Sequence, residues 1–270
     1  MTASWAWAAA RAIGTAHLAN GTPCQDAFAA SVLRLPSGLE VLIASLADGA
    51  GSAERADAGA RLATSVSVEM VAEALADGAC RVEEASMLLW FAAERARLAV
   101  STLAGHEERD IADFASTLML VLLHAEGGAI GHLGDGAIVV RNGGAGWQPI
   151  LWPEHGEYVN TTRFLTDPDA LEHVRVEDLP GGIESACLFS DGLERLVLDL
   201  RARTAHAPFF DAVFRRFSDV SQPGHAARVS RDLSALLDSE AVNSRTDDDK
   251  SIVCATLVRP INGADCPAQG

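Results

Sequence analysis

The apolar positions of this chain change period several times, and each change marks a different kind of element. Residues 4 to 13 and 26 to 34 read as strands, and Pro36-Ser37-Gly38 supplies a turn after the second. Leu39 to Leu46 is a third strand, apolar enough for burial on both faces. From about Glu54 to Ala76 the period switches. Gly59, Ala63, Val66, Met70 and Ala74 recur every three or four positions, a helical stripe, and Gly78 stands where a C-terminal cap belongs. A second helix is predicted from about Val82 to Ala104, with Leu88, Phe91, Ala92, Ala96, Ala99 and Leu103 on one face and Gly105 after it. Strands then return. Leu118 to His124 is an apolar run, Glu126-Gly127-Gly128 turns it, and Ala129 to Arg141 runs back. Gly143 to Gly146 makes another turn before Trp147 to Leu151. Residues 153 to 172 show no period and read as an ordered excursion. Val174 to Leu179 and Ala186 to Ser190 read as strands, 208 to 217 and 225 to 238 as helices, and Ile252 to Val258 as a last strand. Strands, two long helices, strands, then helices predict an α+β layered fold, suited by two sheets packed face to face with helices outside. The reading is one domain over 1–260 and a loose tail over 261–270.

Composition narrows the function classes. The formal charge is −16, which argues against a general nucleic-acid binder and fits cation binding. Five cysteines, Cys24, Cys80, Cys187, Cys254 and Cys266, are odd in number and contain no CxxC, so reduced thiols in a cytoplasmic protein are expected. No apolar run reaches the roughly 20 residues of a membrane span. The apolar start, Met1 to Ala10, has no basic residue before it and reads as a strand rather than a leader.

Four aspartates stand where apolar strands end. Asp48 closes Val41 to Ala47 and precedes Gly49-Ala50-Gly51-Ser52; Asp135 sits inside Gly131-His132-Leu133-Gly134-Asp135-Gly136. Asp191 follows Cys187 to Ser190, and Asp248 lies in Asp247-Asp248-Asp249-Lys250 just before the last strand. Asp-Gly is also the commonest turn dipeptide, so any one of these is ordinary. Several carboxylates at the mouths of buried strands are costly unless paired or bound to a cation. Oxygen-only ligation favours Mg²⁺ or Mn²⁺. The Gly-rich runs form no P-loop, because no Gly-Lys-Ser/Thr follows. His124 and His132 read as strand positions, short of the ligand number a zinc site needs.

Five stretches in order resemble the metal-dependent protein phosphatases of type 2C, in their compact bacterial form. They are Gly21 to Asp26, Ala47 to Ser52, Gly131 to Asp135 with Thr117 before it, Ser190-Asp191-Gly192-Leu193, and Asp248-Asp249-Lys250-Ser251. Glu157 to Phe164 also resembles a stretch common in a bacterial branch. The resemblance implies a four-layer αββα sandwich of two mostly antiparallel sheets, with metals at one end. It implies that Asp26, Asp48 and the Gly49 carbonyl serve a binuclear centre, that Asp191 and Asp248 hold the first metal, and that Asp135 matches the ligand of a weaker third. Asp48 and Asp191 carry the catalytic weight in this reading.

The implied reaction is hydrolysis of phosphoserine or phosphothreonine by a hydroxide shared between two Mg²⁺ or Mn²⁺ ions. A phosphorylated protein substrate, opposing a serine/threonine kinase, is the implied partner. Three positions depart from the family pattern. Gly21 stands at about the spacing of a phosphate-binding Arg, leaving His17 as the nearest candidate for the substrate phosphate, with Arg11 further upstream. Gln25 replaces a commoner Glu, and Arg195 stands where many relatives carry another Asp. A phosphatase for small phosphoesters and a catalytically weak regulatory binding module are the alternatives.

Overall fold

The computed structural model describes residues 4–152 and 162–258. In chain order its elements are β1 (Ser4–Ala12), α1 (Thr15–Asn20), β2 (Ala27–Arg34), β3 (Glu40–Ala47), α2 (Ala56–Ala76), α3 (Ala85–His106), β4 (Leu118–His124), β5 (Gly127–Leu133), β6 (Ala137–Asn142) and β7 (Trp147–Leu151). They continue with α4 (Ala170–His173), β8 (Arg175–Pro180), β9 (Ile183–Phe189), α5 (Asp191–Val197), β10 (Leu198–Asp199), β11 (Thr204–Ala205), α6 (Ala207–Phe214), β12 (Gly224–His225), α7 (Ala227–Leu237), α8 (Glu240–Asn243) and β13 (Lys250–Val258). Short 3₁₀ turns at Val82–Glu84, Ile111–Phe114 and Arg215–Phe217 join them.

Two sheets form the centre. One has the order β12-β1-β13-β9-β6-β7, the other β2-β3-β4-β5-β8, and nearly every pairing is antiparallel. The strands read as continuous apolar runs because both faces are covered. On β4, Leu118, Leu120 and Leu122 pack toward α2 and α3, while Met119, Val121 and Leu123 pack toward the opposite sheet. On β9, Cys187 and Phe189 pack toward α5, α6 and α7, while Ala186 and Leu188 fill the space between the sheets. Three stacked cores thus separate four layers, the αββα arrangement expected. Cys187 and Cys254 face each other across β9 and β13 with Sγ atoms 3.6 Å apart and unbonded. Among the described residues no helix is long and apolar enough to cross a membrane.

Three expectations are corrected. The run from Ala129 to Arg141 is two strands, not one: β5 pairs with β4 in one sheet and β6 with β9 in the other. The chain crosses between sheets at Gly134-Asp135-Gly136, where Gly134 has φ +120° and a Cβ would lie 2.5 Å from Thr117 Cγ2. Apolarity stays high on both sides because each strand is buried on both faces, so the pattern hides the break. The second long helix passes through Gly105 to His106, and Glu108 takes the left-handed conformation after it at φ +55°. The aperiodic stretch contains α4; its residues 153–161, with most of the Glu157 to Phe164 match, lie outside the described residues, as does the tail from Arg259.

Candidate active site

The aspartates meet where strand ends of the two sheets come together. Asp26 stands immediately before β2 and is fully buried. Its Oδ2 accepts from Ser190 Oγ at 2.8 Å, and Ser190 Oγ in turn accepts from the Ser251 amide at 3.0 Å. This chain links the start of β2, an edge strand of the second sheet, to the end of β9 and the start of β13, two inner strands of the first. Arg11 Nη1 donates to the Asp26 carbonyl at 2.5 Å.

Asp48 follows β3. Its amide donates to Thr117 Oγ1 at 2.9 Å, and its carbonyl accepts from the Thr117 amide at 2.8 Å. This two-way clasp fixes the loop against the residue before β4, and Gly49 continues it with a bridge to Ser116. Gly49 has no room for a side chain, since a Cβ there would lie 2.7 Å from the Gln25 carbonyl oxygen. Asp191 opens α5, and Gly192 is packed so tightly that a Cβ would lie 2.0 Å from the Asp249 carbonyl oxygen.

The carboxylates perturb one another. Burial first, with a smaller contribution from Asp249, pushes Asp26 up to about 7 against the Ser190 and Ser251 hydrogen bonds that favour its charged form. Asp48 is raised by burial and then by Asp26, Asp191 and Asp248. Asp191 rises to about 6 through burial and then Asp135. Asp248 keeps exposed surface, yet its carboxyl is raised by partial loss of water and then by Asp249 and Asp247. Two carboxylates about 5 Å apart repel by about 3 kcal/mol at an effective dielectric near 20. Bound cations would therefore favour the ionised form of such a group.

The residues fit hard divalent ions. Asp26 Oδ1 and Asp191 Oδ1 are buried with no hydrogen-bond partner among the described residues. Other buried polar atoms, Gln25 Oε1 and Ser116 Oγ for example, also lack a partner among the described residues, but an unpartnered carboxylate oxygen carries charge and calls for a positive ligand. No three His, Cys, Asp or Glu side chains among the described residues enclose an ion by themselves. Mg²⁺ and Mn²⁺ are held by few carboxylates and complete their shells with carbonyl and water oxygens. Asp135 stands at the sheet crossing, near enough to raise Asp191, and Thr162 Oγ1 donates to its Oδ2.

Asp248 and Asp249 differ although adjacent. Asp249 is buried, and its oxygens accept from the Gly14 and Gln25 amides, each at 2.6 Å. His17 Nδ1 lies 2.9 Å from Asp249 Oδ2, within ion-pair distance but off a hydrogen-bond axis. His17 thereby sits beside the Asp48–Ser52 loop, its Nε2 3.9 Å from where a Gly51 Cβ would be. Gly21 terminates α1 at φ +71°, a conformation that strains other residues.

Over residues 13–238 the chain matches the family model described as Protein phosphatase 2C. The chain belongs to the protein phosphatase 2C family. It is 32% identical over 252 residues to Serine/threonine-protein phosphatase 3 of Escherichia coli (strain K12), covering 93% of this chain and 98% of that protein. In fold it is similar to the catalytic domain of the serine threonine protein phosphatase PstP in complex with two manganese ions, with a TM-score of 0.59 at 18% identity over 95% of this chain and all of that one. PppA of Pseudomonas aeruginosa, a regulatory component of T6SS, gives 0.59 at 19% identity over 95% of this chain and 100% of that one.

Other groups in this 2C-type site are structural. His132 is buried between the Gly136 carbonyl, 2.9 Å from Nε2, and Arg175, 3.0 Å from Nδ1; burial pushes it down to about 4. It is a neutral brace for the crossing that carries Asp135. Cys24 is pushed up to about 12 by burial, Asp26 and Asp249, so it offers no thiolate nucleophile. Sequence reasoning missed the Ser190 bridge, the inward role of Asp249 and the short helices α1 and α5. An apolar run ending in Ser-Asp-Gly was a signal for α5, since Ser190 stands at its N-cap position.

Proposed function

We propose that this protein phosphatase hydrolyses phosphoserine and phosphothreonine in protein substrates, opposing a serine/threonine kinase in the cytoplasm. The carrying observation is the cluster of mutually raised carboxylates with orphaned buried oxygens, at the junction of two sheets in a 2C-type fold. Asp26, Asp48, the Gly49 carbonyl, Asp191 and Asp248 would hold two Mg²⁺ or Mn²⁺ ions, and Asp135 a weaker third. When bound, the ions supply activation of water and neutralise charge on the phosphoryl oxygens.

The chain's own part is positioning. Ser190 fixes Asp26, and Thr117 fixes the backbone of Asp48. Asp249 ties α1 and the Gln25 backbone to the start of β13, which holds His17 beside Gly51 as the group for the incoming phosphate. The hydrogen bonds and close-packed glycines leave these carboxylates little freedom to reorganise during the reaction, which is what electrostatic preorganisation requires.

The test compares hydrolysis of p-nitrophenyl phosphate and a phosphothreonine peptide with Mn²⁺, with EDTA, and for Asp191→Ala. Activity on both that disappears with chelation and with the substitution supports the reading. Activity that survives either sinks the ion-dependent mechanism. Turnover of the small ester alone makes the protein a small-phosphoester phosphatase, and inactivity of folded, manganese-loaded protein makes it a binding module.

A further inference from the structure

A groove of about 590 Å³ opens directly beside the carboxylate cluster. Asp191 and Asp248 form part of its lining, together with Glu194, Arg195, Leu200, Arg245 and Asp247. Arg195 follows Asp191 by one turn of α5 and so shares its face. Arg245 lies just beyond α8, three residues before Asp248. Both arginines are exposed, and neither has a carboxylate within ion-pair distance among the described residues. Arg55, Arg61, Arg81, Arg109, Arg163 and Arg228, by contrast, each pair with an acidic side chain.

Other exposed arginines, Arg34, Arg95 and Arg231 among them, also lack an ion pair among the described residues, so what sets Arg195 and Arg245 apart is their shared place on the groove beside the cluster. The acidic side chains at the cluster end, Asp191 and Asp248, are the ones assigned to ions. The groove is much larger than a single phosphoryl group and has an apolar element in Leu200, which is 38% exposed. It therefore has room for residues that flank the phosphorylated one. Guanidinium forks match carboxylates in planar, bidentate fashion.

We propose that Arg195 and Arg245 grip an acidic side chain next to the phosphorylated residue, so that the preferred substrates are acidic phosphopeptides. This rests on the phosphoprotein phosphatase reading above. The arginines reverse, at one place, the repulsion that a strongly acidic enzyme exerts on an acidic substrate.

The experiment uses phosphothreonine peptides matched except for Glu, Gln or Lys at the flanking positions, with manganese-loaded protein. The wild type is expected to favour Glu over Gln by about tenfold in kcat/KM, mainly through KM. In the Arg195→Gln, Arg245→Gln double variant that ratio falls to within about twofold of one, and Arg195→Glu shifts preference toward the Lys peptide. A flat ratio in the wild type, or one that survives the double variant, overturns the proposal. So does an equal loss on Glu and Gln peptides, which would put the arginines on the scissile phosphate. If the wild type cleaves none of the peptides, the phosphoprotein reading itself fails, a result distinct from cleavage without preference.

Discussion

Two concave regions of this molecule differ in almost every respect except size. One, about 540 Å³, lies against α3 and is lined by Met70, Phe91, Leu98, Ile111 and Leu171 with Arg95 among them. The other is the acidic end of the sandwich, where Asp26 and Asp191 keep buried oxygens without partners among the described residues. The first is the more apolar cavity, and Glu94 in its lining stands with Arg95 and Arg97 rather than with other carboxylates. The second is crowded with like charges that destabilise one another. What separates a surface groove from a reaction site here is unsatisfied polarity held in place, not the amount of apolar lining.

That contrast can be broken most directly by removing its charges. Asp48→Asn and Asp191→Asn should each lower kcat/KM about a thousandfold, corresponding to about 4 kcal/mol of transition-state stabilisation. The same variants should leave the metal-free protein at least as stable as wild type, because each removes a mutually repelled carboxylate. Urea unfolding in EDTA checks this; a loss of stability would mean that the aspartates are structural.

Proton linkage sharpens the comparison next. Asp26 is pushed up to about 7 and Asp191 to about 6 from an ordinary value of 3.8. The folded, metal-free chain therefore binds more protons than the unfolded one between these limits. The stability that these groups contribute is full below about pH 4 and is lost as pH rises through 6 and 7, by a few kcal/mol in total. In EDTA the melting temperature should fall between pH 5 and 8, and with Mn²⁺ the fall should shrink or reverse. A flat profile in EDTA would show that the carboxylates do not interact as described.

Asp249→Ala leaves the Gly14 and Gln25 amides without their acceptor. It should cost about 2–4 kcal/mol and reduce turnover about 10- to 100-fold, with the loss in kcat/KM larger for peptide than could follow from unfolding alone. At the other region, Phe91→Ser and Leu98→Ser should change stability by no more than about 0.5 kcal/mol and leave kcat/KM for p-nitrophenyl phosphate unaltered. An effect on hydrolysis there would remove the distinction between the two regions.

The layers and the cluster were largely legible in the sequence because burial and chemistry coincide at strand ends. Val41 to Ala47 announces a strand covered on both faces, and Asp48 after it is a charge that such a strand does not tolerate without reason. The sheet change at Gly134 was not legible, since β5 and β6 are equally apolar and only the left-handed glycine marks the corner. Nor could pattern separate Asp248 from Asp249. They are the same residue type in one loop, and only tertiary donors, the amides of Gly14 and Gln25, decide which is spent on structure. Arg195 and Arg245 stand fifty positions apart in the chain, and what joins them is a groove that no periodicity records.

The central claim is that the sheet junction gathers its carboxylates for hard cations. Anomalous diffraction from a crystal soaked in Mn²⁺ tests it without recourse to activity. The account predicts manganese peaks bounded by Asp26, Asp48, Asp191 and Asp248, lost in Asp48→Asn. Manganese found elsewhere, or absent from these side chains at saturating concentration, would contradict it.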